Sequence, residues 1–231
     1  AALKNIDANY LLFVDSDDYI SEDCVQKLLD CAYKKQSQIV QGNFAYLYKE
    51  TIENNVLDEK SIPGYPWGKL ISSELFENIC FPQGFIFEDT IINTLIFPSA
   101  NKISCIDDVV YYYRDNEAGI SHSFIDDKKM LDTIYMTYFC YKESFDRELK
   151  IDYVTFCQQV RINWFRIQKF PEKIIRASFF LMCDLYDSYY SKSKDTSIDF
   201  EGVKYYDYCF KNKKFKSFLI LMNSWSLLLN K

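Results

Sequence analysis

The sequence predicts an α/β region over residues 1–125, followed by a helical region over 126–231. In the first region, short apolar runs typical of strands alternate with helical periods, and turns rich in Pro and Gly separate them. The second region contains helical periods alone, which favours an all-helical arrangement. Hydrophobic residues form 48% of the 231 residues, which is ample for packed cores.

Composition argues against several classes of protein. The net charge of −6 argues against a general nucleic-acid binder, which carries an excess of basic residues. The eight cysteines form no C-x-x-C pair and the chain has one histidine, so a Cys/His zinc site is not expected. We expect buried thiols in a reducing compartment. With no membrane-length apolar run and no leader-like start, the sequence predicts a cytoplasmic protein.

The run 10–14 is apolar and predicts a buried strand in the middle of a sheet. It is followed by three carboxylates within four positions, Asp15, Asp17 and Asp18. Crowded carboxylates repel one another, and a hard divalent cation that also binds substrate phosphates would compensate them. The alternative is a solvated turn, after which Ser21 caps the next helix.

Local patterns justify the next elements. Apolar residues at helical spacing predict a helix over 21–35, and β-forming residues predict a strand over 38–48. The polar stretch 51–60 predicts a loop or the tip of a hairpin. A Pro-Gly turn over 63–66 then leads to a short helix that begins near Ser73.

An acidic pair marks the start of the next predicted helix. After a turn at 82–84, Glu88 and Asp89 precede apolar residues at helical spacing. Two short strands and a polar loop follow, at 102–106, 109–113 and 114–124. The loop carries His122, the single histidine.

Three segments of the second region have apolar residues at helical spacing, at 130–141, 154–165 and 174–186. A polar linker over 191–199 precedes one or two further helices in 203–229. The last of these places lysines before an apolar stretch with Trp225, a pattern that could lie peripherally on the inner, anionic surface of the membrane. The alternative is a helix that closes the bundle with its apolar side inward.

Four motifs occur in order along the first region: Asp15-Ser16-Asp17-Asp18, Trp67-Gly68-Lys69-Leu70, Glu88-Asp89 and Tyr112-Tyr113-Arg114. Together they resemble the family 2 glycosyltransferases of the GT-A fold, particularly bacterial enzymes that build capsular, exopolysaccharide or cell-wall glycans. The first motif resembles the DxD motif of that family. The resemblance covers about residues 1–125 and implies a partial GT-A sheet with flanking helices.

The resemblance implies an inverting transfer of a sugar from a nucleotide-diphosphate donor, with a UDP-sugar as the first choice, to a glycan or lipid-linked acceptor. It also implies Mn²⁺ or Mg²⁺, which neutralises charge on the leaving nucleotide. By the same resemblance, Asp17 would bind the metal directly, Asp15 would face the ribose or the metal's waters, and Asp18 would support the site.

Asp89 matches the position of the catalytic base in the family, and Glu88 would orient the acceptor beside it. A place at a helix N-terminus favours the ionised, proton-accepting form of Asp89. The alternative role of Asp89 is that of a helix cap, which a catalytic base can also fulfil.

Four further residues carry roles implied by the resemblance. Trp67 would stack on the acceptor sugar and Lys69 would meet a donor phosphate. Arg114 would hold the diphosphate or an acidic acceptor. The alternatives are simple packing for Trp67 and a surface ion pair for Arg114. His122 would complete the metal's ligand shell, or would be merely exposed.

Members of the family begin with a strand and loop that bind the nucleotide base, and no such pattern precedes the first strand here. We therefore expect about half of a GT-A domain, whose exposed sheet edge favours pairing into a homo-oligomer. Donor binding and turnover by this chain alone are expected to be weak or absent. The alternative function is a non-catalytic remnant that acts as a glycan-binding or assembly module.

Overall fold

The computed structural model of the protein describes residues 3, 6–48, 51–57, 62–114, 127–191 and 202–229. The chain forms two compact units. The first consists of Ala1–Gln83 and Glu88–Ile125, and the second of Gly84–Phe87 and Asp126–Lys231.

A six-stranded mixed sheet forms the first unit. Its strands are β1 (Tyr10–Leu12), β2 (Tyr19–Ile20), β3 (Ile39–Tyr48), β4 (Thr51–Asn55), β5 (Lys69–Ser72) and β6 (Ile103–Arg114). They lie in the order β1-β5-β3-β6-β2, and β4 pairs with β3 outside this order. β3 and β6 run parallel, whereas the other described pairs are antiparallel.

The helices of the first unit are α1 (Cys24–Lys35), a 3₁₀ helix (Ser73–Phe76) and a π-helix (Ile92–Ile96) that continues into α2 (Phe97–Ser99). Leu28 of α1 is buried with Val40 of β3 and Val110 of β6. These apolar contacts hold α1 against the two central strands, as the helical spacing of its apolar residues predicted. The mixed sheet with flanking helices confirms the predicted α/β class.

Two predictions about the start of the chain are wrong. β1 ends the order of described strands and is only half-buried, because β5 is its one described neighbour in the sheet. The next helix begins at Cys24 and not at residue 21, and no side chain caps it. The Ser21 hydroxyl instead donates a hydrogen bond of 2.8 Å to the Asp23 carboxylate, so it is not available as the predicted cap.

Strand pairing also changes three predictions based on local patterns. The polar stretch 51–60, predicted as a loop or the tip of a hairpin, contains β4. This strand pairs with β3 although most of its residues are polar. Residues that were expected only to lead into a helix form β5. The two strands predicted around Asp107 and Asp108 are one strand, β6, with an irregular register there. Asn43 of β3 accommodates this irregularity by donating to the Asp107 carbonyl at 2.8 Å.

The second unit is helical, as predicted. A 3₁₀ helix (Asp127–Leu131) precedes α3 (Asp132–Asp146), α4 (Tyr153–Ile167), α5 (Glu172–Tyr189), α6 (Val203–Lys211) and α7 (Phe215–Leu229). Its core is rich in aromatic rings, among them Tyr141, Phe156, Phe179, Tyr206 and Phe210, which are at most 1% exposed. Such rings bury large apolar areas, so they dominate the packing of this unit.

Buried polar side chains in the second unit satisfy one another. Thr133 and Thr137 donate to the Asn163 side-chain carbonyl at 2.7 and 3.1 Å, and Gln159 donates to Thr137 at 3.1 Å. Arg166 adds a bond of 2.8 Å to the Thr133 hydroxyl. This network links α3 to α4 without leaving these groups unpaired.

None of the eight cysteines forms a disulfide bond and six are buried, which agrees with their predicted packing role. None of the described helices is both long and apolar enough to span a bilayer.

Candidate functional site

The turn 15–18 is clamped by the end of β6. The Tyr111 hydroxyl accepts the N–H of Asp15 at 3.1 Å and donates to Asp18 Oδ2 at 2.6 Å. The N–H of Arg114 donates to Asp18 Oδ1 at 2.8 Å, and Arg114 Nε donates to the Asp17 carbonyl oxygen. Both oxygens of Asp18 are therefore engaged, and its carboxylate fixes the shape of the turn.

The carboxylates at the turn 15–18 destabilise one another's ionised forms. The pKa of Asp15 is raised above its usual value, first by burial and then by the charges of Asp18, Asp17 and Glu88. The structure thus brings Glu88, which is more than seventy positions away in sequence, within electrostatic range of the turn. A cation placed among these carboxylates would relieve their repulsion.

Glu88 and Asp89 lie at the start of a helical stretch. The carbonyl of Asp89 accepts the N–H of Ile92 at 2.9 Å, and that of Glu88 accepts the N–H of Ile91 at 3.4 Å. Glu88 is exposed and Asp89 is half-buried. The stretch continues as a π-helix, a rare conformation that is frequent at functional sites.

Trp67 is placed for packing and not for stacking on an acceptor sugar. Its indole is 6% exposed. The rings of Tyr65 and Tyr111 lie parallel to it, with centroid distances of 3.7 and 4.6 Å, and Phe44 meets it edge-on at 5.0 Å. The predicted acceptor role is therefore not supported, because neighbouring aromatic rings already stack against the indole of Trp67 and leave little of it exposed.

Lys69 is not at the surface where a donor phosphate could meet it. It is fully buried, and its ammonium donates to the carbonyls of Tyr65 at 2.6 Å and Trp67 at 3.4 Å. Burial lowers the pKa of Lys69 to about 7. Its observed role is to hold the backbone of the segment that carries Trp67, which differs from the predicted phosphate contact.

Sequence reasoning missed the residue that connects these features, Tyr111. Its phenol holds the turn 15–18 while its ring stacks on Trp67. Gly68 was also not singled out, although its φ of +70° favours glycine. The signal available in the sequence was the run of tyrosines that ends in Arg114, since strand alternation directs only every second one inward.

The turn suits a metal ion only when a phosphate-bearing ligand is also bound. No described group of three or more His, Cys, Asp or Glu side chains is arranged to hold a metal. With Asp18 engaged, Asp15 and Asp17 are the acidic candidates at the turn. Ions such as Mg²⁺ are often bound by one or two carboxylates, water and substrate phosphates, so this donor set fits that mode. His122 lies outside the described residues.

Comparison with protein families and curated proteins identifies a relationship for the first part of the chain. Residues 1–87 match the family described as Glycosyl transferase family 2. Glycosyltransferase GlyA of Streptococcus pneumoniae is 27% identical over 145 residues, which are 52% of this chain and 21% of GlyA. An uncharacterized glycosyltransferase of Bacillus subtilis, EpsJ, is 29% identical over 142 residues, 52% of this chain and 41% of EpsJ.

A third relative, the poly(ribitol-phosphate) β-N-acetylglucosaminyltransferase TarS of Staphylococcus aureus, is 28% identical over 131 residues, 51% of this chain and 23% of TarS. The matched segment thus spans less than half of each of these relatives. A crystal structure of TarS 1–349 with UDP-GlcNAc covers 98% of this chain and 70% of its own, with a TM-score of 0.67 and 14% identity. At that identity, the likeness shows a common fold.

Proposed function

Because residues 1–87 match the family described as Glycosyl transferase family 2, we propose that the chain takes part in an inverting transfer of a sugar from a nucleotide-diphosphate donor to a glycan or lipid-linked acceptor. The observation that carries the proposal is the crowding of carboxylates at the turn 15–18, where burial first, and then the charges of Asp18, Asp17 and Glu88, raise the pKa of Asp15. Perturbed carboxylates of this kind are typical of functional sites.

The proposed donor is a UDP-sugar and the proposed acceptor class is a cell-wall polymer. Two TarS structures that share this fold contain UDP-GlcNAc and UDP, and the name of TarS specifies a poly(ribitol-phosphate) acceptor. These are properties of TarS, and they guide the choice of probes for this chain.

In the proposed site, Asp15 and Asp17 hold Mn²⁺ or Mg²⁺ together with the donor phosphates. The ion would neutralise the charge that develops on the leaving nucleotide. Asp18 would support the site, because Tyr111 and Arg114 each donate a hydrogen bond to one of its oxygens and so set the shape of the turn. The guanidinium of Arg114, which touches the same turn, adds positive charge where the diphosphate would lie.

Asp89 is the proposed base, which takes the proton of the acceptor hydroxyl as the new bond forms. Its place at the start of a helical stretch favours the ionised carboxylate that such a base needs. The charge of Glu88, the residue before Asp89, raises the pKa of Asp15, so the proposed base lies next to a residue that interacts electrostatically with the turn 15–18. Glu88 would orient the acceptor.

Calorimetric titration with UDP and Mn²⁺ tests the donor site. We expect weak but measurable binding by the wild-type chain, and a further loss of at least about tenfold in affinity in Asp17→Asn, which removes one negative charge at nearly constant shape. Asp30→Asn is the matched control, since Asp30 is a solvent-facing residue of α1 that bonds to Gln26. Absence of UDP binding in the wild type, or equal affinities in all three proteins, would contradict the proposed donor site.

A further inference from the structure

The second unit contains a cavity that the proposed reaction does not use. It has a volume of about 610 Å³ and lies between the end of α3, the loop 148–152, the start of α4 and the end of α5. That volume is within the range of small-molecule sites. The residues around it come from two stretches of the chain, 141–153 and 189–190, so the cavity is not formed by one loop alone.

Two tyrosines of the cavity wall carry hydroxyl groups without oxygen or nitrogen partners among the described residues. The hydroxyls of Tyr141 and Tyr153 are shielded from solvent, and the neighbour that hydrogen-bonds with the Tyr153 hydroxyl is the thiol of Cys157, a weak hydrogen-bonding group. Burial raises the pKa of both phenols, so each retains a proton that it can donate. The nearby polar network around Asn163 is satisfied, which makes these two orphan donors unusual within the same unit.

The rest of the wall is aromatic and has no excess of positive charge. The ring of Phe145 lies 4.2 Å from that of Tyr189, and Phe145 is 53% exposed. Lys150 is the one cation among the lining residues, and the carboxylates of Glu148 and Asp152 outnumber it. A phosphate or nucleotide would therefore be poorly accommodated, whereas a neutral ligand with an apolar face and hydroxyl groups would suit both the rings and the polar atoms.

Glu148 has a backbone conformation that favours glycine. Its φ is +58°, and it follows α3 in a helix-ending motif in which its N–H donates to the Phe145 carbonyl at 2.8 Å. The N–H of Leu149 closes the same motif on the Ser144 carbonyl at 2.8 Å. A glutamate at this position fixes an exposed carboxylate at the rim of the cavity, where it can accept hydrogen bonds.

We propose that this cavity is a binding site for a neutral sugar ring, separate from the residues assigned to the donor. The faces of Phe145 and Tyr189 would stack on the apolar face of the sugar. The phenols of Tyr141 and Tyr153 would donate to its oxygens after small side-chain shifts, and Glu148 would accept from its hydroxyls. The inference rests on the chemistry of the cavity and goes beyond the proposed transfer.

Saturation-transfer NMR and calorimetry with N-acetylglucosamine and methyl β-glucoside test the proposal, with inorganic phosphate as a counter-probe. We expect at least one of the two sugars to bind, and its affinity to fall about tenfold in Phe145→Ala and by a smaller factor in Tyr153→Phe. The matched control is Phe139→Ala, because Phe139 is a more exposed aromatic on the same helix and does not line the cavity. Asp17→Asn should leave sugar binding unchanged, which separates this site from the donor site.

Three outcomes would overturn the proposal. They are the absence of binding by both sugars at millimolar concentration, equal weakening by Phe145→Ala and Phe139→Ala, and competition by inorganic phosphate. Tyr153→Phe removes one oxygen atom at constant volume, so it tests the site even if Phe145→Ala alters the fold. Circular dichroism of each variant identifies such a change.

Discussion

The two units differ in what they bury. The first unit buries a charged side chain, Lys69, and crowds carboxylates at the turn 15–18. In the second unit, the buried polar side chains among the described residues are neutral, and Thr137, Gln159 and Asn163 satisfy one another. Burying a charge costs far more than burying a paired neutral group. The first unit therefore tolerates an electrostatic cost that the second avoids.

That cost is concentrated along one path of contacts in the first unit. Lys69 holds the carbonyl of Trp67, the Trp67 indole stacks on Tyr111, and the Tyr111 hydroxyl holds Asp18. The buried cation thus supports the segment that packs against the clamp of the acidic turn. The comparison shows that apolar packing and paired neutral groups stabilise the helical unit. In the sheet unit, a buried cation and aromatic packing hold crowded carboxylates in place at an electrostatic cost.

The largest expected effect is on transfer itself. Asp89→Asn removes the proposed base while keeping its size, so UDP release from UDP-GlcNAc in the presence of poly(ribitol phosphate) should fall about 10²–10⁴-fold. UDP binding should change little, because Asp89 is assigned to the acceptor and not to the donor. A coupled assay for UDP measures the rate.

Glu77→Gln is the control for Asp89→Asn, since Glu77 is exposed and lies outside the proposed site. The assignment of Asp89 is contradicted by an Asp89→Asn variant that keeps its rate. A wild type with rapid UDP release would overturn the expectation that turnover by this chain alone is weak or absent.

Next in size is the loss of the clamp. Tyr111→Phe removes the hydroxyl that bonds to Asp18 and Asp15, so we expect the free energy of unfolding to fall by about 2 kcal/mol, as for other hydrogen bonds to charged groups. UDP affinity with Mn²⁺ should fall as well. Urea unfolding monitored by fluorescence gives the stability.

Tyr112→Phe is the matched control for this clamp, because Tyr112 is the next residue and its ring stacks on Tyr19 at 4.7 Å. Its effect should stay within about 0.5 kcal/mol. Equal losses in Tyr111→Phe and Tyr112→Phe would show that the hydroxyl of Tyr111 has no special role.

The buried charge of Lys69 predicts a stability that increases with pH. Its pKa is about 7 in the folded state, against about 10.4 for a free lysine, so between these values the unfolded state binds more protons. Stability should therefore rise by about 1.5 kcal/mol between pH 7 and 8.5. Lys69→Met should lack this rise, whereas Lys34→Met, at an exposed position of α1, should keep it.

The measurement is urea unfolding at pH 7.0 and 8.5. The window ends there because burial raises the pKa of Cys157 and Cys183 to about 12, and unfolded thiols lose their protons above about pH 8.5. Above that pH, these thiols lower the stability and oppose the contribution of Lys69. A wild type whose stability changes over the window by the same amount as that of Lys69→Met would show that the Lys69 ammonium is not desolvated.

Local pattern predicted most of the helical unit and much of the sheet unit. Helical spacing is a property of neighbouring residues, so α3, α4 and α5 were found where their apolar residues recur. β3 was predicted from its β-forming residues, which are also a local pattern. β4 was missed because its polar residues contain no strand signal, and its pairing with β3 supplies the hydrogen bonds.

For the candidate site, motif resemblance named the acidic residues, whose roles stay predictions, and did not name the residues that pack behind them. Motif resemblance gave Asp15, Asp17 and Glu88, whose charges the structure brings together. It could not give the burial of Lys69 or Trp67, because burial depends on which distant rings pack on a segment. The roles assigned to those two residues failed for that reason.

The smallest expected effect belongs to the helical unit and concerns Glu148. Its left-handed backbone costs a residue with a side chain about 1 kcal/mol or more, and glycine avoids most of that cost while losing more entropy on folding. Glu148→Gly should therefore raise the free energy of unfolding by about 0.5–1 kcal/mol, measured by urea unfolding. Glu148→Ala keeps the side-chain penalty and should match the wild type. If Glu148→Ala stabilised the protein as much as Glu148→Gly, the cause would be the lost charge and not the backbone conformation. Both variants should weaken sugar binding equally, because both lack the carboxylate.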